Sequence, residues 1–304
     1  MKKMSKLVAL ALALVMALSL TVTAGAEETT TAQDMAGSIV ILHTNDVHGA
    51  IGGYAKVAAL KDSYEDRGAY VLLLDAGDFI QGDPTVSTSQ GATAVELMNL
   101  AGYDLAAPGN HEFDYGYENL TKLSKEAKFP IVAANVLYNG KVAFEDNVVF
   151  TAPDGTKIGV FGLDTPETAT KAHPAKIQGV TFLAGQEMFD CAQKQVDTLK
   201  AEGCDYIVCL GHLGIDAEST GNRSVDLLEK VSGINFFIDG HSHSTMEDIA
   251  AVATDNKVGD TYVTSTGTKL ENVGIITIDP AQAKTTVETK ALADLTVTPA
   301  QEVA

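Results

Sequence analysis

Carboxylate, amide and imidazole side chains recur directly after apolar runs in this sequence, and these residue types can bind divalent metal ions. The clearest case is Asp75-Ala-Gly-Asp78, which follows the apolar run Tyr70–Leu74. Similar segments follow four other apolar runs: Asp46-Val-His48, Asn110-His111-Glu112, Gly211-His212 and His241-Ser-His243. Five of the seven histidines lie in these segments. A metal site at one edge of a sheet would bring such strand-end residues together.

Each segment taken alone also has an ordinary structural explanation. Asp46 and His48 would share one face of an extended segment, but such a pair is more often a cap or a surface arrangement. Asp78 alone would usually be a cap or turn residue, and His212 alone would usually be a hydrogen-bonded histidine. The combination favours two divalent ions such as Zn²⁺, Mn²⁺ or Fe²⁺. Glycines beside the segments would let the backbone turn tightly: Gly49, Gly77, Gly109, Gly211 and Gly240.

Residues 1–26 have the pattern of a secretory signal peptide. Lysines precede the apolar run Leu7–Leu20, and Ala24-Gly25-Ala26 suits cleavage. The alternative is a membrane anchor, but this run is shorter than the roughly 20 residues that a span needs. The expected location is therefore secreted: extracellular, cell-wall or periplasmic. Residues 27–37 are predicted to be a disordered lead-in.

The formal net charge of −19 at pH 7 would move to −22 on cleavage, because residues 1–26 carry three lysines and no acid. So acidic a chain disfavours a nucleic-acid polymer as partner. Bound divalent metals would reverse the charge locally for an anionic substrate. The cysteines are Cys191, Cys204 and Cys209, an odd number that gives no full disulfide framework. Without a Cys-x-x-Cys pair, a structural zinc site is not expected.

Strand-like and helix-like segments alternate along the chain, which predicts an α/β fold with parallel βαβ units. Helices are predicted over Tyr54–Tyr64 and Glu118–Ala127, and a strand over Ile131–Ala134. Turn-linked strands between residues 148 and 183 predict a second or mixed sheet. Residues 38–280 are predicted to form one domain. Residues 281–304 are interpreted as a linker or tail.

Five motifs in this order resemble those of the calcineurin-like metallophosphoesterases: Asp46-Val-His48, Gly77-Asp78, Gly109-Asn-His-Glu112, Gly211-His212 and Gly240-His-Ser-His243. The longer strings Leu42–Gly49 and Ala107–Asp114 resemble the secreted 5′-nucleotidase, UDP-sugar hydrolase and 2′,3′-cyclic phosphodiesterase family within that superfamily. The resemblance covers about residues 38 to 280. It implies a β-sandwich of mixed sheets flanked by helices, in the layer order αββα.

The resemblance also implies a ligand set for two metal ions. One ion would be held by Asp46, His48, Asp78 and His243. The other would be held by Asp78, Asn110, His212 and His241, so that Asp78 bridges the two. Many nucleotidases of this family have Gln where this chain has His243, so its metal preference differs from theirs if that residue sets it.

The implied reaction is release of phosphate from nucleoside 5′-monophosphates or related phosphoesters, through attack by a metal-bridging hydroxide. His111 would be catalytic, contacting the phosphate together with Asn110. Asp114 would orient the His111 imidazole. The alternative for Asp114 is an N-cap of the following helix.

The resemblance leaves the substrate open, because the family normally carries a second, nucleotide-binding domain that is not expected within 38–304. This chain would then need a C-terminal domain or a partner chain to hold a nucleotide. Alternative activities are 2′,3′-cyclic nucleotide phosphodiesterase, UDP-sugar hydrolase and general phosphomonoesterase. A further alternative from another class is a metal- or nucleotide-binding surface protein without turnover.

Overall fold

A five-stranded mixed sheet is built around the first apolar run of the sequence. The computed structural model describes residues 34–296, so the predicted signal peptide lies outside the described residues. In the sheet order β14-β13-β1-β2-β3, strands β1, β2 and β3 are parallel, and β13 pairs antiparallel with β1. The bounds are β1 Ile39–Thr44, β2 Tyr70–Asp75, β3 Leu105–Ala106, β13 Asn272–Asp279 and β14 Lys284–Ala291.

A six-stranded sheet faces the first one. The chain also forms a small three-stranded sheet. Two strands of this small sheet come before the first two strands of the six-stranded sheet in the chain, and the third comes directly after them. The six strands run in the order β11-β12-β10-β9-β7-β6, with β7, β9, β10 and β12 parallel. Their bounds are β6 Asn147–Thr151, β7 Lys157–Asp164, β9 Tyr206–His212, β10 Phe236–Asp239, β11 Lys257–Val258 and β12 Thr261–Thr264. The small sheet contains β4 Val136–Tyr138, β5 Lys141–Val142 and β8 Val180–Phe182.

Helices cover the outer face of each large sheet. They are α1 Tyr54–Glu65, α2 Pro84–Thr88, α3 Ala92–Ala101, α4 Tyr117–Glu126, α5 Thr168–Lys171, α6 Gln186–Ala201, α7 Ser224–Leu228 and α8 Met246–Val252. The predicted helices over Tyr54–Tyr64 and Glu118–Ala127 correspond to α1 and α4 within one residue at each end. No helix within residues 34–296 combines the length and the apolar character that a membrane crossing requires.

The sandwich has three apolar layers, and a further apolar cluster around Phe113 and Phe182 packs beside the small sheet. Alternate side chains of β1, such as Ile39 and Ile41, pack against Val208 and Ile238 of the opposite sheet. The other face of β1 packs on α1 and α3, while α6 covers the outer face of the second sheet. Strands buried on both faces explain why the sequence shows continuous apolar runs there. This layering confirms the predicted mixed α/β sandwich flanked by helices.

Three expectations about local structure are wrong. Ile131–Ala134 forms no strand, because Ile131 bridges to Ala106 and Val132 bridges to Glu145, so that no continuous ladder develops. Part of the expected linker or tail, residues 281–304, is the edge strand β14, which pairs with β13 along its whole length. The end of the expected lead-in, residues 27–37, is also ordered, since Met35 is buried and its N–H donates to the Arg67 carbonyl.

The arrangement of strands sets the position of the polar loops. The carboxyl ends of β1 and β2 in one sheet lie beside those of β9 and β10 in the other. Backbone hydrogen bonds hold these loops in register, with Asp46 N–H donating to the Gly77 carbonyl and His48 N–H to the Asp78 carbonyl. The residues singled out in the sequence therefore meet at one edge of the sandwich.

Candidate metal centre

Asp46 follows β1 at this edge of the sandwich and is fully buried. Asn45 Nδ2 donates to its Oδ2 at 2.7 Å, and the backbone N–H of His241 donates to the same oxygen at 3.0 Å. Burial raises the pKa of Asp46 to about 7, although His212 lowers it. Both contacts fix the orientation of a carboxylate that still has lone pairs facing the site.

The Asp46–His48 pair converges for a different reason from the one expected. An extended backbone was predicted to put both side chains on one face, but Asp46 has φ 49° and His48 has φ 46°. Two left-handed residues with the buried Val47 between them turn the chain around the site instead. Asp78, His241 and His243 also have positive φ values of 63°, 78° and 51°. Such conformations are rare outside glycine and cluster at functional sites.

Asp78 follows β2 and is almost fully buried. Its Oδ1 accepts a hydrogen bond from the His111 backbone N–H at 2.9 Å, and its Oδ2 lies 3.1 Å from His212 Nε2. Burial alone would raise the pKa of Asp78, but the imidazoles of His212, His111 and His48 hold it below its ordinary value. Asp78 thus lies centrally, between residues from both sheets.

His212 is the clearest candidate for a metal ligand. Its Nδ1 donates to the Ala76 carbonyl at 2.6 Å, which leaves Nε2 directed toward Asp78 and Asp46. This buried Nε2 has no hydrogen-bond partner of normal geometry among residues 34–296. Burial lowers the pKa of His212, but Asp78 and Asp46 outweigh it and hold the pKa well above its ordinary value. The pKa shifts of Asp78 and His212 have a common cause, the attraction between the imidazoles and the buried carboxylates.

Two glycines allow His212 to reach this position. A Cβ on Gly77, whose φ is 96°, would lie 2.8 Å from His212 Nδ1 and 2.6 Å from the Gly109 nitrogen. A Cβ on Gly109 would lie 2.4 Å from Asp78 Oδ1 and 2.6 Å from His212 Cε1. Any side chain at either position would displace a candidate ligand, which supports the predicted need for glycine beside the site.

Histidines from the loops after β1 and β10 complete the centre. His243 Nε2 lies 2.9 Å from His48 Nε2 and 3.5 Å from Asp46 Oδ1. His241 Nδ1 lies 2.8 Å from Asn110 Oδ1, and the His241 and His212 rings are in edge contact at 5.2 Å between centroids. All seven predicted ligands are thus brought together.

The donor set fits divalent metal ions. Within residues 34–296, three groups have ligand atoms within 4.8 Å of one another: Asp46 with His48 and His243, Asp46 with Asp78 and His212, and His48 with Asp78 and His111. Carboxylate and imidazole donors suit Zn²⁺, Mn²⁺ or Fe²⁺. The third group includes His111, for which the sequence predicted contact with substrate and no metal.

His111 lies at the mouth of the centre with about a third of its side chain exposed. Its Nδ1 lies 2.6 Å from Asp114 Oδ2, so the expected dyad geometry is present. The hydrogen bond with Asp114 raises the pKa of His111, although burial opposes it. The alternative explanation of Asp114 as a helix N-cap is wrong, because the N-cap of α4 is Gly116 and carries no side-chain cap bond.

Glu112 is a site residue that the sequence reasoning missed. It is fully buried, and its carboxylate accepts hydrogen bonds from four backbone N–H groups: Asp78 at 2.7 Å, Gly109 at 2.6 Å, Phe79 at 2.8 Å and Ile80 at 3.0 Å. It therefore joins the loop after β2 to the loop of Asn110. Half of a signal was available, because Glu112 stands three residues after Gly109, the spacing at which a glutamate accepts from the N–H of an N-cap residue.

Residues without an assigned role occupy structural positions. The His43 ring is buried against Gly274 and lies 3.1 Å from Thr264 Oγ1, and burial lowers its pKa to about 3. His173 Nδ1 accepts a hydrogen bond from the Ala175 N–H in an exposed turn. Cys191, Cys204 and Cys209, for which the sequence left one disulfide possible, are all free thiols.

A cavity of about 570 Å³ opens beside the centre. His48 and His243 form one wall, and Gln81, Asp83 and Lys269 contribute to the others. The loop of Lys269 is tied to the centre, because its backbone N–H and the Thr268 hydroxyl both donate to the Asp46 carbonyl at 2.8 Å. The cavity gives a small molecule access to the candidate ligands.

Comparison with known proteins identifies the family. Residues 39–245 match the family model described as calcineurin-like phosphoesterase. A 5′-nucleotidase of Bos taurus is 32% identical over 230 residues, which cover 68% of this chain and 38% of that protein. The trifunctional nucleotide phosphoesterase YfkN of Bacillus subtilis is 29% identical over 255 residues, covering 72% of this chain and 17% of that protein. This chain therefore spans well under half the length of these curated relatives.

Solved structures agree with the fold. The calcineurin-like phosphoesterase YfkN from Bacillus subtilis superposes with a TM-score of 0.73 at 24% identity, covering 88% of this chain and 94% of that one. A 5′-nucleotidase precursor from Thermus thermophilus gives a TM-score of 0.67 at 27% identity, covering 87% of this chain and 55% of that one. The expected metal-dependent phosphoester hydrolase is supported by the family match and these relatives. With the family model matched over residues 39–245, this chain belongs to the calcineurin-like phosphoesterases.

Proposed function

We propose that this chain is an exported dinuclear-metal phosphohydrolase that releases phosphate from nucleoside 5′-monophosphates or related phosphoesters. The observation that carries the proposal is His212, whose buried Nε2 has no normal hydrogen-bond partner in residues 34–296 and faces two carboxylates. Buried carboxylates are costly without a compensating positive charge, and a metal ion bound by Nε2 would supply that charge. The proposal of export rests on the signal-peptide pattern of residues 1–26.

The proposed ligands divide into two groups that share Asp78. Asp46, His48 and His243 complete one group, and Asn110, His212 and His241 complete the other. When bound, two divalent ions would activate a water molecule and neutralise the charge of the phosphoryl group. Asn45 and Ala76 would support this by fixing the Asp46 carboxylate and the His212 tautomer.

His111 is the proposed catalytic residue of the protein itself. Asp114 accepts the His111 Nδ1 proton and favours the charged imidazole, whose Nε2–H, on the side away from Asp114, can donate to a phosphoryl oxygen or to the departing ester oxygen. Asn110 precedes it in the same turn, so its amide lies close enough to share in binding the phosphate. A charged imidazole also offsets the repulsion between a chain of net charge −19 and an anionic ester.

The nucleotide part of the proposal comes from the names of the relatives, 5′-nucleotidase and nucleotide phosphoesterase. Because the chain covers 38% of the bovine protein, the remaining part of such a protein, or a partner chain, would supply further contacts to the nucleotide. The domain itself would then supply the hydrolytic step. Cyclic nucleotides, UDP-sugars and simple phosphomonoesters are the substrates to compare with nucleoside monophosphates.

The test is phosphate release by residues 27–304 from AMP and from p-nitrophenyl phosphate, with Mn²⁺ or Zn²⁺ and after chelation. Metal-dependent release from either ester is expected. Release from p-nitrophenyl phosphate alone would support phosphohydrolysis and contradict self-sufficient nucleotide recognition. His173→Ala is the control for His111→Ala, because His173 is exposed and its Nδ1 accepts a hydrogen bond from the Ala175 N–H. Metal binding without release from any ester would refute the proposal and favour a binding protein.

A further inference from the structure

Glu167 lies outside the proposed ligand set but contacts it directly. It precedes α5, in the connection between β7 and β8. Its Oε2 lies 3.1 Å from His241 Nε2, on the side of the ring opposite to the one that faces Asn110. The His241 side chain is 6% exposed and that of Glu167 is 23% exposed, so the contact is largely shielded from water.

The Glu167 carboxylate is itself held on both oxygens. The Ser219 hydroxyl donates to Oε1 at 2.5 Å, and Lys171 Nζ lies 3.1 Å from Oε2. Ser219 is buried and comes from the segment after β9. Three connections, after β7, β9 and β10, therefore meet at this one side chain. A surface glutamate without a role would be free to change rotamer, whereas this one has a fixed direction.

The contact decides which nitrogen of His241 carries the proton. Two groups face His241 Nε2: Glu167 Oε2 at 3.1 Å and Lys171 Nζ at 3.4 Å. The carboxylate is the nearer of the two and only accepts, and it also pairs with Lys171, so we assign the Nε2 proton to a hydrogen bond with Glu167. In a neutral imidazole, Nδ1 then has a free lone pair, and it lies 2.8 Å from the Asn110 amide oxygen. The lone pairs of His241 Nδ1 and Asn110 Oδ1 then face one another, which is unfavourable unless both atoms bind a cation. Histidine ligands in metal sites commonly donate their other N–H to a carboxylate in this way.

We propose that Glu167 is a positioning residue: held by Ser219 and Lys171, it fixes His241 in the Nε2–H tautomer so that Nδ1 and Asn110 Oδ1 bind one of the two metal ions. The inference rests on the proposed dinuclear function. It assigns to Glu167 no contact with substrate, so the expected effect is on metal affinity first and on turnover only through metal occupancy.

The test compares metal binding by Glu167→Ala, Glu167→Gln and Ser219→Ala with the unaltered protein, by calorimetric titration with Mn²⁺ or Zn²⁺ and by metal analysis. Loss of such a supporting contact typically weakens metal binding by about 10- to 100-fold. Glu167→Ala is expected to show that loss for one ion of two, with smaller losses for Glu167→Gln, which keeps an acceptor, and for Ser219→Ala. Glu126→Gln is the matched control, since Glu126 is exposed and also pairs with a lysine four residues away on a helix, Lys122 at 3.6 Å.

A second readout needs no metal and no turnover. Long-range ¹H–¹⁵N spectra of metal-free protein should show His241 as the Nε2–H tautomer, and Glu167→Ala should shift it toward a mixture. Two ions bound with unchanged affinity by all three variants, or an Nδ1–H tautomer in unaltered protein, would overturn the positioning role while leaving the proposed function standing. Fewer than two ions bound by unaltered protein would overturn both. Thermal unfolding in chelator identifies any variant that fails to fold, and the tautomer of unaltered protein still decides the matter in that case.

Discussion

Replacing Glu112 by Gln tests whether one buried carboxylate holds the two loops of the centre together. The change keeps size and shape but turns one oxygen into an NH₂ group. If that group replaces Oε2, the N–H groups of Asp78 and Gly109, now 2.7 and 2.6 Å from an acceptor, face a donor instead. If it replaces Oε1, the N–H groups of Phe79 and Ile80 lose their acceptor. Either orientation leaves two buried donors unsatisfied.

The magnitude follows from that count. Each buried donor left without a partner costs about 1–3 kcal/mol, so Glu112→Gln should lower the free energy of unfolding by about 2–6 kcal/mol. That is a large part of the roughly 5–15 kcal/mol typical of a domain. In thermal unfolding the midpoint should fall by about 10 °C. Because Asp78 and Asn110 lie on the two loops, metal affinity should fall as well.

The assay is urea unfolding followed by circular dichroism, with EDTA present so that bound metal does not contribute. Glu126→Gln serves as control, because its exposed ion pair with Lys122 is worth less than about 1 kcal/mol. A Glu112→Gln protein within about 0.5 kcal/mol of the unaltered protein would refute the reasoning, since it would mean that the two N–H groups that lose their acceptor find other partners at no cost.

Three further outcomes are expected from the same site. His111→Ala should retain its metal content and lose about 100-fold or more in turnover, and Asp114→Asn should lose less turnover. Metal analysis and phosphate release measure these two effects. Unchanged turnover in His111→Ala would remove His111 from the mechanism. Asp78→Ala should lose both ions and all activity, whereas retained stoichiometry would contradict its bridging position. Chelation should abolish phosphate release and lower the unfolding temperature, because ions present at 100 times their Kd stabilise the folded state by about 2.7 kcal/mol; an unchanged midpoint would show that the folded state does not bind them.

The site was more predictable from the sequence than some of the structure around it. Apolar runs that end in Asp, Asn or His mark strand ends, and strand ends of parallel strands meet at one edge, so Asp46, Asp78 and His212 could be grouped without coordinates. The reason given for Asp46 and His48 was wrong, because periodicity assumes an extended backbone and cannot register left-handed residues. Residues such as Glu112 and Glu167 act on neighbours through space. A single sequence gives no measure of which loops meet, so Glu167, 74 positions from His241, carried no signal.

Edges of sheets were predicted least well. β14 has the composition Lys-Thr-Thr-Val-Glu-Thr-Lys-Ala, with no apolar run, because an edge strand has a partner on one side and water on the other. Its β-branched threonines and valine suit a strand, but its charges resemble those of a linker. Ile131–Ala134 shows the opposite error. Its apolar side chains are buried between other elements, but the segment has no continuous strand partner.

The left-handed backbone at the centre narrows the residues that its positions can accept. Aspartate, asparagine and histidine are the side-chain-bearing residues that adopt this conformation most readily, and they are also metal ligands. Folding alone would therefore favour the same residues at Asp46, His48, Asp78, His241 and His243 as catalysis does. A descendant that had lost its activity would still be under pressure to keep much of the motif. Intact motifs in a lineage of such proteins are thus better evidence for a shared backbone than for continued turnover, and activity has to be established one protein at a time.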